Sequence, residues 1–174
     1  MIICIMGKSG SGKSTIINKL SYNNMNIIKS YSTRKPRNAE DLETHIFVTE
    51  DDFNNTDKNE IMAIYESPNN YKSWVTKELF DKNKINLYAI DPIAFSDFFE
   101  KYKEIDKIYG IYFNLDETER EKRLKKRGQS YYYKDEPHLD KKNIKIDKNN
   151  FTIIDVSGNI DTVTHKVLEI IKNI

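Results

Sequence analysis

Gly7, Gly12, Lys13 and Ser14 stand at the fixed positions of the pattern G-x-x-x-x-G-K-[ST], within the run Gly-Lys-Ser-Gly-Ser-Gly-Lys-Ser-Thr at residues 7–15. Glycines let the backbone turn without a Cβ clash. Successive N–H groups can then converge on phosphate oxygens at a helix N-terminus, where the helix dipole already favours an anion. Lys13 would add a mobile positive charge for β- and γ-phosphates, and the Ser14 hydroxyl is a hard oxygen suited to Mg²⁺. The candidate nucleotide-binding residues are Gly7, Ser9, Gly10, Ser11, Gly12, Lys13, Ser14 and Thr15. The alternative is a Gly/Ser-rich turn that binds nothing, and the setting argues against it. Ile2-Ile3-Cys4-Ile5-Met6 reads as a buried strand before the loop, and Ser14 to Leu20 as a helix after it, with Ile16, Ile17 and Leu20 inward.

Three further groups could act on a phosphorylated ligand. Arg34 and Arg37, three apart with Pro36 between them, suit a rigid clamp on a dianion such as a monophosphate, or else form a solvated basic loop. Asp91 ends the apolar run Ile85 to Ile90. Because ligands of open parallel sheets sit beyond the carboxyl ends of strands, it should lie near the phosphate loop. There it either joins a Mg²⁺ shell, directly or through water, or caps the next helix ahead of Pro92. Arg120, Arg123 and Arg127 fall on one face of a helix over 117–127, aimed at a ligand or at solvent.

The elements that must position these groups alternate. Strands are expected at Met25–Lys29, Ile85–Ile90, Ile108–Asn114 and Phe151–Val156. Helices are expected around Lys77–Lys82, over Glu117–Arg127 and from Asn159 onward, the last carrying Ile160, Val163, Val167, Leu168, Ile170 and Ile171. Such alternation implies an α/β fold with a parallel sheet covered on both faces. Residues 30–75 read differently. Short strands at Thr44–Val48, Glu60–Tyr65 and Tyr71–Val75, with a helix start at Thr49, form a small β-rich insertion. Gly128 to Lys145 is polar and Tyr-rich, a candidate lid in which Tyr131, Tyr132 and Tyr133 either close over a ligand or pack the lid to the body.

Length and charge bound the rest. At 174 residues the chain suits one α/β domain, and charged residues at 32% nearly cancel to +1, so no general affinity for nucleic acid or anionic membrane is implied. Cys4 is the only cysteine. It excludes an internal disulfide and reads as a small buried hydrophobe. With no leader and no apolar run near twenty residues, the expectation is a cytoplasmic protein.

Nearly the whole chain resembles the guanylate kinase family. The run from Ser30 through Thr33-Arg34-Lys-Pro36-Arg37 to Glu40, then His45-Ile-Phe-Val, then Asp51-Asp52-Phe53, is similar to that family's S-x-[ST]-T-R-x-P-R-x-x-E, Y-x-F-V and acidic-acidic-Phe segments. Tyr71-Lys72-Ser73 is similar to its later Y-G-[ST]. The resemblance implies a P-loop NTPase-type three-layer parallel sheet, with a core of residues 1–29 and 77–174, a monophosphate-binding insertion of about 30–75 and a lid of about 128–145. It implies transfer of the ATP γ-phosphoryl, with Mg²⁺, to GMP or dGMP, by a monomer or homodimer. Lys13, Ser14 and Arg123 would handle ATP and its metal. Ser30, Arg34, Arg37, Glu40, His45, Tyr71, Ser73 and Asp91 would hold the acceptor, and Arg127 would reach the transferring phosphoryl.

The departures bear on the acceptor. His45 stands where the family has a tyrosine, Lys72 replaces a glycine, and Lys141 and Lys142 stand where a second lid arginine is expected. The acid that reads guanine N–H groups falls at about Met62 or Ala63, which leaves Glu66 as its substitute. Losing that acid should alter base choice. Two alternatives therefore accompany the leading reading: a kinase of different or broader base specificity, and an inactive binding module on the same scaffold.

Overall fold

The structure is a computed structural model and describes residues 1–174 apart from 21–24, 37, 38, 40, 68, 69, 127 and 129–138. In chain order the elements are β1 (Ile2–Met6), α1 (Lys13–Leu20), β2 (Asn26–Ile28), β3 (Ser30–Ser32), α2 (Asp41–Thr44), β4 (His45–Phe47), α3 (Glu50–Asn55), β5 (Ile61–Glu66) and β6 (Lys72–Thr76). They continue with β7 (Asn86–Ala89), α4 (Pro92–Tyr102), β8 (Ile108–Asn114), α5 (Glu117–Lys126), β9 (Phe151–Asp155) and α6 (Ile160–Asn173). No helix among the described residues is long and apolar enough to cross a membrane.

Two sheets divide the strands. The larger is wholly parallel, in the order β2-β7-β1-β8-β9. Its central strand β1 is buried on both faces because it is apolar on both. Ile3 and Ile5 join Ile16, Ile17 and Leu20 of α1 and Val163, Val167 and Ile171 of α6 in one core. Ile2, Cys4 and Met6 join Phe95, Phe98, Phe99 and Tyr102 of α4 in the other. A parallel sheet needs both faces covered, and this strand's alternation assigns a helical layer to each.

The smaller sheet has the order β4-β3-β6-β5, with β3 and β4 parallel and the other pairs antiparallel. Its two faces differ in role. Tyr31, Ile64, Lys72 and Trp74 share one face by register, and α3 covers it. Phe53 meets the Trp74 ring edge-on at 4.9 Å, Tyr31 stacks on Trp74 at 5.4 Å, and Lys72 pairs with Glu50 at 2.8 Å. The opposite face carries Ser32, Ala63, Tyr65, Ser73 and Val75, and Val75 belongs to the core beside α4.

Caps fix several helix starts. Thr49 and Asp52 form a reciprocal capping box on α3, and the Asn159 side chain accepts from Thr162 N–H at the start of α6. One expectation fails: the helix over Lys77–Lys82 is only a single 3-10 turn, Lys77–Leu79. Asn86 ends it, accepting from Asp81 N–H at 2.9 Å and donating to Asp81 C=O at 2.9 Å. Phe80 is turned toward Tyr88 and Phe98. Six residues cannot sustain a helix against those tertiary contacts.

Candidate active site

The loop between β1 and α1 has the backbone its glycines allow. Gly10 and Gly12 adopt φ of +85° and +90°, a region that disfavours side chains. Helix α5 packs against the loop so closely that a Cβ on Gly10 would stand 3.2 Å from Leu124 and 3.3 Å from Arg120. A Cβ on Gly12 would lie 3.8 Å from Nη1 of Arg123, so Arg123 stands beside the loop. Lys13 folds back over the loop, its Nζ donating to the carbonyls of Gly7 at 2.6 Å and Lys8 at 3.2 Å. Those oxygens hold the ammonium where an anion at the helix N-terminus would compete for it. The Ser11 hydroxyl is buried with no partner among the described residues.

Arg120 takes a structural place that a solvated helix face would not require. It is 2% exposed, its Nε donates to Glu117 at 2.7 Å, and its Nη1 donates to the Ser9 carbonyl at 3.4 Å. Glu117 also pairs with Lys8 at 2.6 Å. Partial burial pushes the Glu117 carboxyl up, but Lys8 and Arg120 outweigh it and hold the group below its ordinary value. This triad ties α5 to the loop. Arg123 makes its own contacts, Nε to Glu119 at 3.3 Å and Nη2 to the Val156 carbonyl at 3.4 Å.

Asp91 follows β7, whose Ala89 lies opposite Ile5 of β1, so it stands at the carboxyl end of the sheet alongside the loop. Its Oδ1 accepts from the N–H groups of Ile93 and Ala94, both at 2.9 Å, and Pro92 occupies the first helical position. The capping role is thus realised, and the carboxylate keeps its position near the loop. Beside it, burial pushes the Tyr88 hydroxyl well up, reinforced by Cys4 and Asp91, while a hydrogen bond with Ser30 pulls the other way.

The second group of residues gathers on the open face of the small sheet. Arg34 donates through Nη1 to Asp41 at 2.7 Å and to the Lys35 carbonyl at 3.1 Å, and its guanidinium lies over the Phe47 ring at 5.0 Å. Both partners of the ion pair are nearly buried, and Nη2 of Arg34 has no partner among the described residues. His45 stacks on Phe47 at 5.8 Å and sits 3.0 Å from the Thr44 hydroxyl through Nδ1. Tyr71 meets Tyr65 edge-on at 6.2 Å, and the Ser73 hydroxyl donates to the Tyr31 carbonyl at 2.9 Å. Arg37, Glu40 and Arg127, with Tyr131, Tyr132 and Tyr133 of the expected lid, lie outside the described residues. At the edge of that segment Lys141 donates to Asn114 Oδ1 at 3.2 Å, and the Tyr112 hydroxyl donates to the Leu139 carbonyl at 2.9 Å.

Sequence reasoning missed three features. Asp41, which orients Arg34, was a partner that only the short α2 turn could supply. Ser32, fully buried on that same face of the small sheet with its hydroxyl unpaired among the described residues, was not singled out. Glu66, the candidate substitute for the guanine-reading acid, pairs in register with Lys72 and so belongs to the face under α3. Strict alternation from Tyr65 would have shown this once Ser73 was placed on the open face.

The family profile described as AAA domain (AAA_18) matches residues 3–144. Among solved structures, guanylate kinase from Anaplasma phagocytophilum superposes with a TM-score of 0.65 at 20% identity, covering 99% of this chain and 85% of that one. A gluconokinase from Sinorhizobium meliloti 1021 gives a TM-score of 0.50 at 13% identity, with 96% and 89% covered. No curated protein matches the sequence. The fold is that of the P-loop kinases.

Proposed function

We propose that this chain, which belongs to the AAA domain family AAA_18, is a nucleoside monophosphate kinase that transfers the γ-phosphoryl of ATP to an acceptor such as GMP or dGMP. One observation carries the reading. Arg34, held by Asp41 and Phe47, keeps a buried Nη2 without a partner among the described residues, on a face that also holds Tyr71 and Ser73, on a small sheet separate from the phosphate loop. An arginine fixed by a carboxylate with its fork unfinished suits a bidentate partner such as a phosphate dianion.

Phosphoryl transfer needs no covalent protein intermediate; it needs in-line positioning and neutralised charge. Lys13 would exchange the Gly7 and Lys8 carbonyls for phosphate oxygens of ATP, and Arg123, already beside Gly12, would add charge on the same side. Arg34, with Arg37, would hold the acceptor phosphate, and His45 and Tyr71 border it. Ser14 offers a hydroxyl oxygen in the first turn of α1 and Asp91 a carboxylate at the same end of the sheet, a donor set that fits Mg²⁺. Bound there, the ion would neutralise charge on the β- and γ-phosphoryl oxygens. In this reading residues 30–75 form the monophosphate-binding insertion and 128–145 the lid of a single domain.

The inactive binding-module alternative is disfavoured by the intact loop with Lys13 and Ser14. Following ADP release from Mg-ATP with each common nucleoside monophosphate tests the proposal. Acceptor-dependent ADP release is expected, and ADP release that no monophosphate stimulates would refute it.

A further inference from the structure

Guanine presents its ring N–H and exocyclic amine side by side, two donors that a carboxylate's two oxygens match and a single hydroxyl does not. The strand register says what the open face of the small sheet can offer. Ser32 lies opposite Ser73, Tyr65 opposite Ser73 from the other side, and Ala63 opposite Val75. On β3 and β4, Ser30 lies opposite His45 and Ser32 opposite Phe47. Among the described residues the carboxylate on that side is Asp41, which is already paired with Nη1 of Arg34 at 2.7 Å. The one acidic residue in the four strands is Glu66, opposite Lys72 on the other face, where Lys72 is drawn to Glu50 and lies 4.9 Å from the Phe53 ring.

The groups that are present have a different selectivity. The Tyr65 and Tyr71 rings meet edge-on at 6.2 Å and form an aromatic wall beside Ser73. Stacking on such a wall tolerates any base, because every base has a π-face. Serine hydroxyls both donate and accept. Ser73 already donates to the Tyr31 carbonyl, which leaves its oxygen free to accept from a base edge.

We propose that the acceptor base is read by the Tyr65, Tyr71 and Ser73 corner without a carboxylate, so that the enzyme phosphorylates pyrimidine as well as purine nucleoside monophosphates. The inference rests on the nucleoside monophosphate kinase reading and specifies the base subsite of that site. A site built to bond one base edge rejects the others by roughly 10⁴-fold, and without the matching group that rejection is lost.

The test compares kcat/KM of the full chain for GMP, dGMP, AMP, CMP, UMP and dTMP, in the wild type and in two variants. The best pyrimidine is expected within about tenfold of the best purine. Glu66→Ala, on the face under α3, should leave that ratio unchanged. Tyr65→Glu, which puts a carboxylate opposite Ser73, should raise GMP over dTMP by about tenfold or more. A wild-type preference for GMP or dGMP of more than about a hundredfold over every pyrimidine would overturn the inference while leaving the kinase reading standing. Loss of GMP turnover in Glu66→Ala with other acceptors spared would overturn it too. Failure of the wild type to phosphorylate any of the six would instead remove the kinase reading, and this inference with it.

Discussion

Lys13 and Arg34 carry the two halves of the account, and each makes a prediction of its own. Lys13→Ala removes the ammonium that folds over the loop at the helix N-terminus, and kcat should fall by roughly 10³-fold. Its fold should survive, because the Lys13 ammonium bonds to loop carbonyls and lies outside the apolar core. Circular dichroism and a thermal melt close to wild type, alongside lost turnover, is the expected pair of results. For Arg34→Ala, the loss of one charge-assisted partner should lower kcat/KM for the acceptor by about 2 kcal/mol, or roughly thirtyfold, mostly through KM. It also breaks the nearly buried Arg34–Asp41 ion pair, so stability should drop as well. Arg34→Lys keeps the charge but not the fork and should restore stability more than affinity. Unchanged acceptor kinetics in both variants would remove the clamp. The loop was legible in the sequence because its motif is contiguous, and Arg34 because it sits inside a long pattern. Asp41 was not, because an ion pair between a strand end and a short helix turn has no fixed spacing. Nor was the side on which Glu66 stands, since alternation needs a register that only pairing with β6 supplies.

At the scale of elements, α4 is where structure and chemistry overlap. Asp91 caps the helix through one oxygen and stands at the carboxyl end of the sheet beside the loop. The two roles separate by substitution. Asp91→Ala should cost about 1 kcal/mol of stability through the lost cap. Asp91→Asn keeps a capping oxygen and should hold stability within about 0.5 kcal/mol while removing the charge. If the carboxylate serves the metal and acceptor phosphate, kcat falls in both variants. If kcat is unchanged in Asp91→Asn, Asp91 is a cap alone. Most elements were readable from periodicity, including the Thr49 start of α3 and the Asn159 start of α6, because caps are local chemistry. The segment after β6 was misread as helix because its fate is set by Asn86 and by the ring cluster around Phe80, both remote in sequence.

Across the whole molecule, burial of ionisable groups in the parallel-sheet core sets how stability depends on pH. Burial, with Asp140 nearby, pushes the Tyr112 hydroxyl up to about 12, and burial pushes Tyr88 higher still. In the unfolded chain a tyrosine ionises near pH 10, so between about pH 10 and 12 the folded state holds protons that the unfolded state has lost. Stability is therefore full below about pH 10 and falls as pH rises through that window. Urea midpoints at pH 8.5 and 10.5 should show the drop. Tyr112→Phe should start about 1 kcal/mol less stable, having lost its bond to the Leu139 carbonyl, and should fall less steeply. A midpoint independent of pH would contradict the burial of these hydroxyls. The most direct test of the whole is to follow γ-labelled ATP, with Mg²⁺, in the presence of a nucleoside monophosphate or of gluconate. The account predicts label in the nucleoside diphosphate. Label in phosphogluconate, or only in inorganic phosphate, would contradict it.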